Sequence, residues 1–271
     1  MSNSPSALKA DAKKYIRESK PPVITAGMLL LILILLASVI SGNILAKNSG
    51  DLLMKFQSVT TPEEYTAFVQ SFAAMSEAEL EALMDRIMPS TADLLVIGLL
   101  FFMVTCVRTG FILFMLNTVR AAKPAIGNLL DCFAIFYRVF GLIVFGAIAL
   151  TVGFTLFVIP GFILFYAYRM TPYIMLDHPE LSVIGCMHES RIMMQGHKME
   201  FFKLDISFFV WWVLKQLPLI SYGVRVWTIP FAGLSRVLFY ENVRRDEAYN
   251  GLAKEPNLAP PVQEDQEKAQ K

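Results

Sequence analysis

The sequence predicts an all-α, polytopic membrane helix bundle of about six spans, and three observations carry that prediction. Composition is the first: 55% of residues are hydrophobic, 17% are charged and the mean hydropathy is +0.51. Soluble domains average roughly 45–50% apolar and about 25% charged. The second is clustering, because the apolar residues gather into long runs separated by short polar connections. The third is a pair of Ile-Pro breaks, Ile159-Pro160 and Ile229-Pro230, each ending one apolar run and opening another. They outline two similar helical hairpins, Val139 to Leu176 and Leu204 to Tyr240, running in the same direction as a parallel repeat. A formal net charge of +1 provides no global field for nucleic acid. Cys106, Cys132 and Cys186 share no motif spacing, so neither a disulfide framework nor a zinc site follows.

Taken in order, residues 1–22 form a polar segment in which Lys9, Lys13, Lys14, Arg17 and Lys20 outnumber Asp11 and Glu18. This basic flank predicts a cytoplasmic N-terminus. Residues 23–46 are the first span, longer than the about 7–15 apolar residues of a signal-peptide core and therefore read as uncleaved. Residues 47–92 are an acidic insert expected on the outer side. Two short helices are signalled within it. Thr61-Pro62-Glu63-Glu64 supplies a cap, a proline at the first helical position and a glutamate at the third, and Ser76-Glu77-Ala78-Glu79 repeats the capping logic. The simplest reading of this insert is a small helical cap on the membrane surface; a partner-binding domain is the alternative.

Residues 93–243 read as the remaining membrane bundle. Leu94 to Leu116 is the second span, Val139 to Val158 the third and Phe162 to Leu176 the fourth. Leu204 to Tyr222 is the fifth and Phe231 to Tyr240 the sixth. The fourth and sixth are short against the ~20 residues of a spanning helix, which leaves a five-span count as the alternative. In the first break, Pro160 lacks an N–H and Gly161 tolerates positive φ, together permitting a tight reversal. Between spans, Leu181 to Met194 predicts a short amphipathic helix ended by Gly196. Residues 244–271 predict a disordered cytoplasmic tail after Arg244-Arg245.

A series of landmarks runs from about Leu116 to Val243. It begins with Lys123-Pro124, Asp131, Ile159-Pro160-Gly161, Tyr168, Pro172-Tyr173, Asp177 and Pro179. Ser190, Gly196-His197-Lys198, Trp227, Ile229-Pro230 and Phe239-Tyr240-Glu241 complete it. In order and spacing this stretch resembles the bacterial membrane-protein family catalogued as domain-of-unknown-function family 975. A looser similarity links the Pro-Gly, Pro172, Asp177, Ser190 and Gly196 pattern to the membrane module of some glycerophosphodiester phosphodiesterases, whose catalytic barrel has no counterpart here. The resemblance implies a bacterial cytoplasmic-membrane location and no reaction. Arg169 and Arg236 stand where the family usually has uncharged residues.

The arginines are the most informative polar residues. Arg108 lies a few residues past the centre of the second span, while Arg169 and Arg236 follow their hairpin prolines by nine and six positions. An arginine at mid-bilayer costs on the order of 2.5–3.5 kcal/mol on insertion scales, so such residues face a bundle interior and need partners. The acidic candidates Asp93, Asp177, Asp205 and Glu241 all sit near span ends, which predicts unpaired positive charge at membrane depth. One reading is an anion site formed by Arg108, Arg169 and Arg236, since guanidinium forks bind phosphate and carboxylate bidentately. The other is that each arginine snorkels to an interface or donates to backbone carbonyls freed at the breaks, and Lys215 is near enough to a span end to snorkel. His188-Glu189 begins like a zincin motif, but Ile192 occupies the position of the second histidine. Neither a nucleophile elbow nor a phosphate-cradling loop occurs. The expectation is a non-enzymatic integral membrane protein without cofactor or metal that binds an anionic lipid or a partner protein in envelope homeostasis, with membrane lipids and a partner or second copy as its contacts and no nucleic acid. A small transporter or channel for an anion is the alternative.

Overall fold

In the computed structural model, which describes residues 4–20, 22–122, 124–214, 216 and 221–254, every regular element among the described residues is helical. The chain divides into two units, Met1–Leu29 with Cys106–Lys271 and, separately, Leu30–Thr105.

Helix α1 (Pro5–Glu18) starts where the Ser4 hydroxyl accepts from the Ala7 N–H, with proline at its first position. Leu8, Ala12 and Ile16 repeat every four residues and are buried, seating α1 against the last helix of the chain. The segment expected to be a polar flank is therefore an amphipathic docking helix. Helix α2 (Val23–Ser58) continues past the expected boundary at Ala46. Nothing in Lys47–Ser58 breaks a helix, and the stop comes only as Pro62 pushes the preceding residue out of helical geometry: Thr61 has φ −111° and ψ 155°. The next two helices, α3 (Pro62–Ala73) and α4 (Glu77–Ile87), carry both expected capping boxes, Thr61 with Glu64 and Ser76 with Glu79. Neither buries a residue. Helix α5 (Thr91–Val119) begins at a third box, in which Ser90 N–H and Oγ–H donate to Asp93 and the Asp93 N–H donates back.

After α5 the chain of the larger unit makes a short α6 (Asn128–Asp131) and a 3₁₀ turn (Cys132–Ile135). Gly110 of α5 lies so close to α6 that an added Cβ would stand 2.3 Å from the Leu129 carbonyl oxygen. The expected first hairpin follows as α7 (Phe136–Leu156) and α8 (Val158–Ala167), packed along each other. Its hinge differs from expectation. The break is at Phe157, in extended geometry at φ −163°, and Pro160 lies in the first turn of α8, where a helix requires no N–H from it. Gly161 serves close approach rather than a turn, because a Cβ there would sit 2.5 Å from the Phe154 ring. The expected fourth span is split, since α8 ends at Ala167 and α9 (Thr171–Asp177) resumes after a turn.

Helix α10 (Val183–Met193) is the predicted connecting helix, and Gly196 beyond it has φ +83°, as a helix-ending glycine should. The fifth span is interrupted, with α11 (Lys198–Ile206) and α12 (Phe209–Leu214) in its place, and Lys215 lies outside the described residues. Helix α13 (Ser221–Lys254) corrects the second expected break, because it passes straight through Pro230. A proline removes one helical hydrogen bond, and here its ring is packed within van der Waals reach of Gly27. The second Ile-Pro hairpin is therefore not formed as a copy of the first. The same helix runs through Arg244-Arg245 to Lys254, so the first part of the expected disordered tail is helical; residues 255–271 lie outside the described residues.

Three stretches among the described residues, Val23–Lys47, Glu77–Val119 and Asn128–Thr155, are long and apolar enough to cross a membrane. The α7–α8 hairpin exposes Phe140, Ile148, Phe157 and Ile159, the last two at 74%. So much apolar surface on one hairpin is what a lipid-facing element requires and what water would penalise.

Candidate functional site

Two polar clusters occupy the larger unit, and both are built mainly from arginine. The first is closed. Arg120, just past the end of α5, grips Asp177 at the end of α9 with two parallel bonds of 2.7 Å. Its Nε donates to Glu241 of α13 at 2.7 Å. Tyr240 Oη donates to Asp177 at 2.7 Å, and Arg244 donates to Glu241 at 3.0 Å. Glu241 is 2% exposed and the Asp177 side chain 8%. Burial pushes the Asp177 carboxyl up, but the hydrogen bonds from Arg120 and Tyr240 outweigh it and hold the group below the usual carboxylate range. Two cations and two anions thus tie the chain just past α5 and the end of α9 to the body of α13. Arg138, buried near the start of α7, plays a similar part by donating to the carbonyls of His178 and Leu181.

The second cluster is open. It collects the three arginines that the sequence singles out. Arg169 stands in the turn between α8 and α9. That turn is fixed by buried Ser190, whose hydroxyl donates to the Ala167 carbonyl at 2.8 Å and accepts from the Met170 N–H at 3.1 Å. The Arg169 guanidinium lies 5.0 Å from the Phe165 ring centroid and 5.9 Å from that of Phe201. Arg236 projects from α13 and donates through Nη2 and Nε to one oxygen of Asp205 on α11, at 2.9 and 3.2 Å. Arg108 projects from α5 between buried Val107 and Thr109.

These guanidinium groups share one electrostatic neighbourhood. Arg108 and Arg169 each lie close enough to Arg236 to be repelled by it and to each feel Tyr173, which is buried at the centre within reach of all three and of Asp205. Arg108 is solvent-exposed, whereas Arg169 and Arg236 are half-buried. The expectation of unpaired charge therefore needs one correction. Arg236 is paired, because Asp205 on the short α11 reaches it across 31 positions of sequence. Tyr173 stacks on Tyr240 with centroids 5.3 Å apart, so one aromatic pair separates the open cluster from the closed one.

The residues that sequence reasoning missed are Arg120 and Arg138. Their signal was available in part, because Asp177, Tyr240 and Glu241 are landmark acids and hydroxyls with no other obvious partner. The remaining landmarks, Ser190 and Gly196, set turns. Among the described residues no group of histidine, cysteine and acidic side chains is arranged to hold a metal.

The fold defines an all-α protein with helices long and apolar enough to span a membrane. Within that class, residues 139–247 match a family described as protein of unknown function (DUF975). The resemblance drawn from the landmark residues is borne out over that stretch, which begins after Lys123-Pro124 and Asp131 and includes Arg169, Asp205 and Arg236 but neither Arg108 nor Arg120. No curated protein and no solved structure matches the chain.

Proposed function

We propose that the protein is a non-enzymatic integral membrane protein of the bacterial cytoplasmic membrane that binds an anionic ligand in the recess of Arg108, Arg169 and Arg236. The observation that carries this reading is that, of the three arginines, only Arg236 has a carboxylate, Asp205, at hydrogen-bond distance among the described residues, while Arg169 lies over the rings of Phe165 and Phe201. Holding such an excess away from bulk water is costly, and an anion arriving from outside relieves it. Arg108 is exposed and roughly 16 Å along α5 from its Val119 end, too deep for simple snorkelling to that side.

Native mass spectrometry of the detergent-purified protein, beside a variant carrying Arg108→Gln and Arg169→Gln, tests the proposal. A retained anionic lipid lost from the variant is the expected result. Identical adducts on both proteins, or none on the wild type, would return the arginines to a structural role and direct attention to a protein partner. The same convergence also favours a second reading, in which the recess is one station of an anion pathway. Flux of a radiolabelled anion into proteoliposomes, absent from empty vesicles, distinguishes the two.

A further inference from the structure

Beyond the three arginines, we infer that helix α1 carries a separate lipid site, in which Lys13 and Arg17 hold the headgroup of an anionic phospholipid whose acyl chains lie along the exposed apolar face of α12. The helix has three sides. Leu8, Ala12 and Ile16 form the buried stripe. Asp11 and Glu18 share a second side with Lys14, which has Asp11 three positions before it and Glu18 four after. Lys9, Lys13 and Arg17 form the third, a row at four-residue spacing. Neither Lys13 nor Arg17 has a carboxylate three or four positions away. Lys13 meets Lys9 and Arg17 at that spacing, and Arg17 meets Lys13, Lys14 and Lys20. Both side chains are exposed. Like charges so spaced oppose the helix that carries them, and an anion laid along the row relieves the repulsion.

Lys9 fixes what the row borders. Its ammonium donates to the Ser207 carbonyl at 2.7 Å, at the C-terminal end of α11, and lies 4.3 Å from the Phe208 ring centroid. Lys13 stands next, 5.9 Å from the ring centroid of Phe231, which meets Phe208 edge-on at 5.4 Å. The row therefore leads onto the junction of α11 and α12. From there α12 presents Phe209, Val210, Trp212 and Val213, exposed by 57%, 66%, 56% and 45%. Such a face suits lipid, and tryptophan favours its headgroup border. At the other end of α1, Val23 opens the first apolar run six positions after Arg17, which keeps the row close to the membrane surface. Cations at one end of an exposed apolar strip match a single molecule with an anionic head and apolar tails. An acidic protein segment would meet the charge and leave the strip uncovered.

Trp212 reports on this site directly. Trp211→Phe with Trp227→Phe leaves it as the single tryptophan of the full-length protein. That protein is reconstituted into bilayers of phosphatidylcholine with phosphatidylglycerol, with bromine on the acyl chains of one lipid at a time. Quenching of Trp212 fluorescence then reads which lipid sits beside α12. Phosphatidylglycerol is expected to be preferred by about tenfold or more, since each cation near the headgroup contributes about fivefold. Lys13→Gln or Arg17→Gln alone should lower the preference about fivefold, and the two together should abolish it. Lys14→Gln removes the same charge from the balanced side and should change it by less than about twofold. Selection kept in Arg108→Gln with Arg169→Gln but lost in Lys13→Gln with Arg17→Gln establishes the α1 site whatever those two arginines do. The reverse pattern would overturn it. Equal quenching by both lipids in the wild-type background, quenching by neither, or a loss with Lys14→Gln as large as with Arg17→Gln would also overturn it. Oligoglutamate bound in pure phosphatidylcholine bilayers, with no lipid selection at Trp212, would assign the row to a protein partner instead.

Discussion

The closed cluster around Arg120 and the open one around Arg236 use the same side chains to opposite ends. In the closed cluster each charge meets an opposite charge at hydrogen-bond distance, and Glu241 is withdrawn almost wholly from solvent. In the open cluster only Arg236 meets a carboxylate at hydrogen-bond distance among the described residues. A buried ion pair with its bonds complete costs desolvation and returns fixed geometry, whereas a cationic excess costs desolvation and returns nothing until an anion arrives. The difference teaches which cluster to read as architecture and which as a site. It also accounts for Asp177, Tyr240 and Glu241 among the landmark residues: they join the end of α9 and the body of α13 to the chain after α5.

The comparison breaks most visibly at Asp177. Asp177→Ala strips Arg120 of its bidentate partner, leaving it Glu241, and Tyr240 of its acceptor, and the expected loss is about 1–3 kcal/mol of stability, the scale for leaving a buried polar group unsatisfied. Thermal unfolding in detergent measures it. A loss below about 1 kcal/mol would mean that the cluster is solvated in practice and that the contrast with the recess has no energetic basis. Acid provides a milder version. The Asp177 carboxyl is held below its unfolded value, so its contribution is complete above about pH 4 and is lost as pH falls further through the folded value. Wild type should therefore lose stability on acidification below pH ~4 more steeply than Asp177→Asn, which has no proton to gain.

Much of this molecule was readable in advance, and the unreadable part has a common cause. Local rules found what is local: the boxes at Thr61 and Ser76, the connecting helix ended by Gly196, and the apolar runs of α5 and α7. The pairings joining Arg236 to Asp205 and Arg120 to Glu241 span 31 and 121 positions, and no periodicity reports a contact that depends on how separate helices are set against each other. Proline was misjudged for a related reason. Its effect depends on what packs beside it, and at Pro230 that neighbour is Gly27, about two hundred positions away. Helix α1 differs, since Leu8, Ala12 and Ile16 were visible at helical spacing but were outweighed by five basic residues read as a topological signal.

The smallest expected effect is the most discriminating. Arg108→Gln removes a guanidinium that has no carboxylate beside it, so nothing is orphaned by its loss, and the repulsion with Arg236 is relieved. Stability without ligand should stay within about 0.5 kcal/mol of wild type, the range of substitutions that break no named interaction. A structural arginine bonded to backbone carbonyls would behave otherwise, since freeing those acceptors costs about 1–3 kcal/mol. The ligand then separates the variants further. Saturating anionic lipid, at about a hundred times its dissociation constant, should stabilise wild type by roughly 2.7 kcal/mol and Arg108→Gln by clearly less, because binding to the folded state adds stability in proportion to the logarithm of affinity. A neutral substitution that nevertheless abolishes this increment places Arg108 with the site; a destabilising one that leaves it intact places Arg108 with the architecture around Arg120.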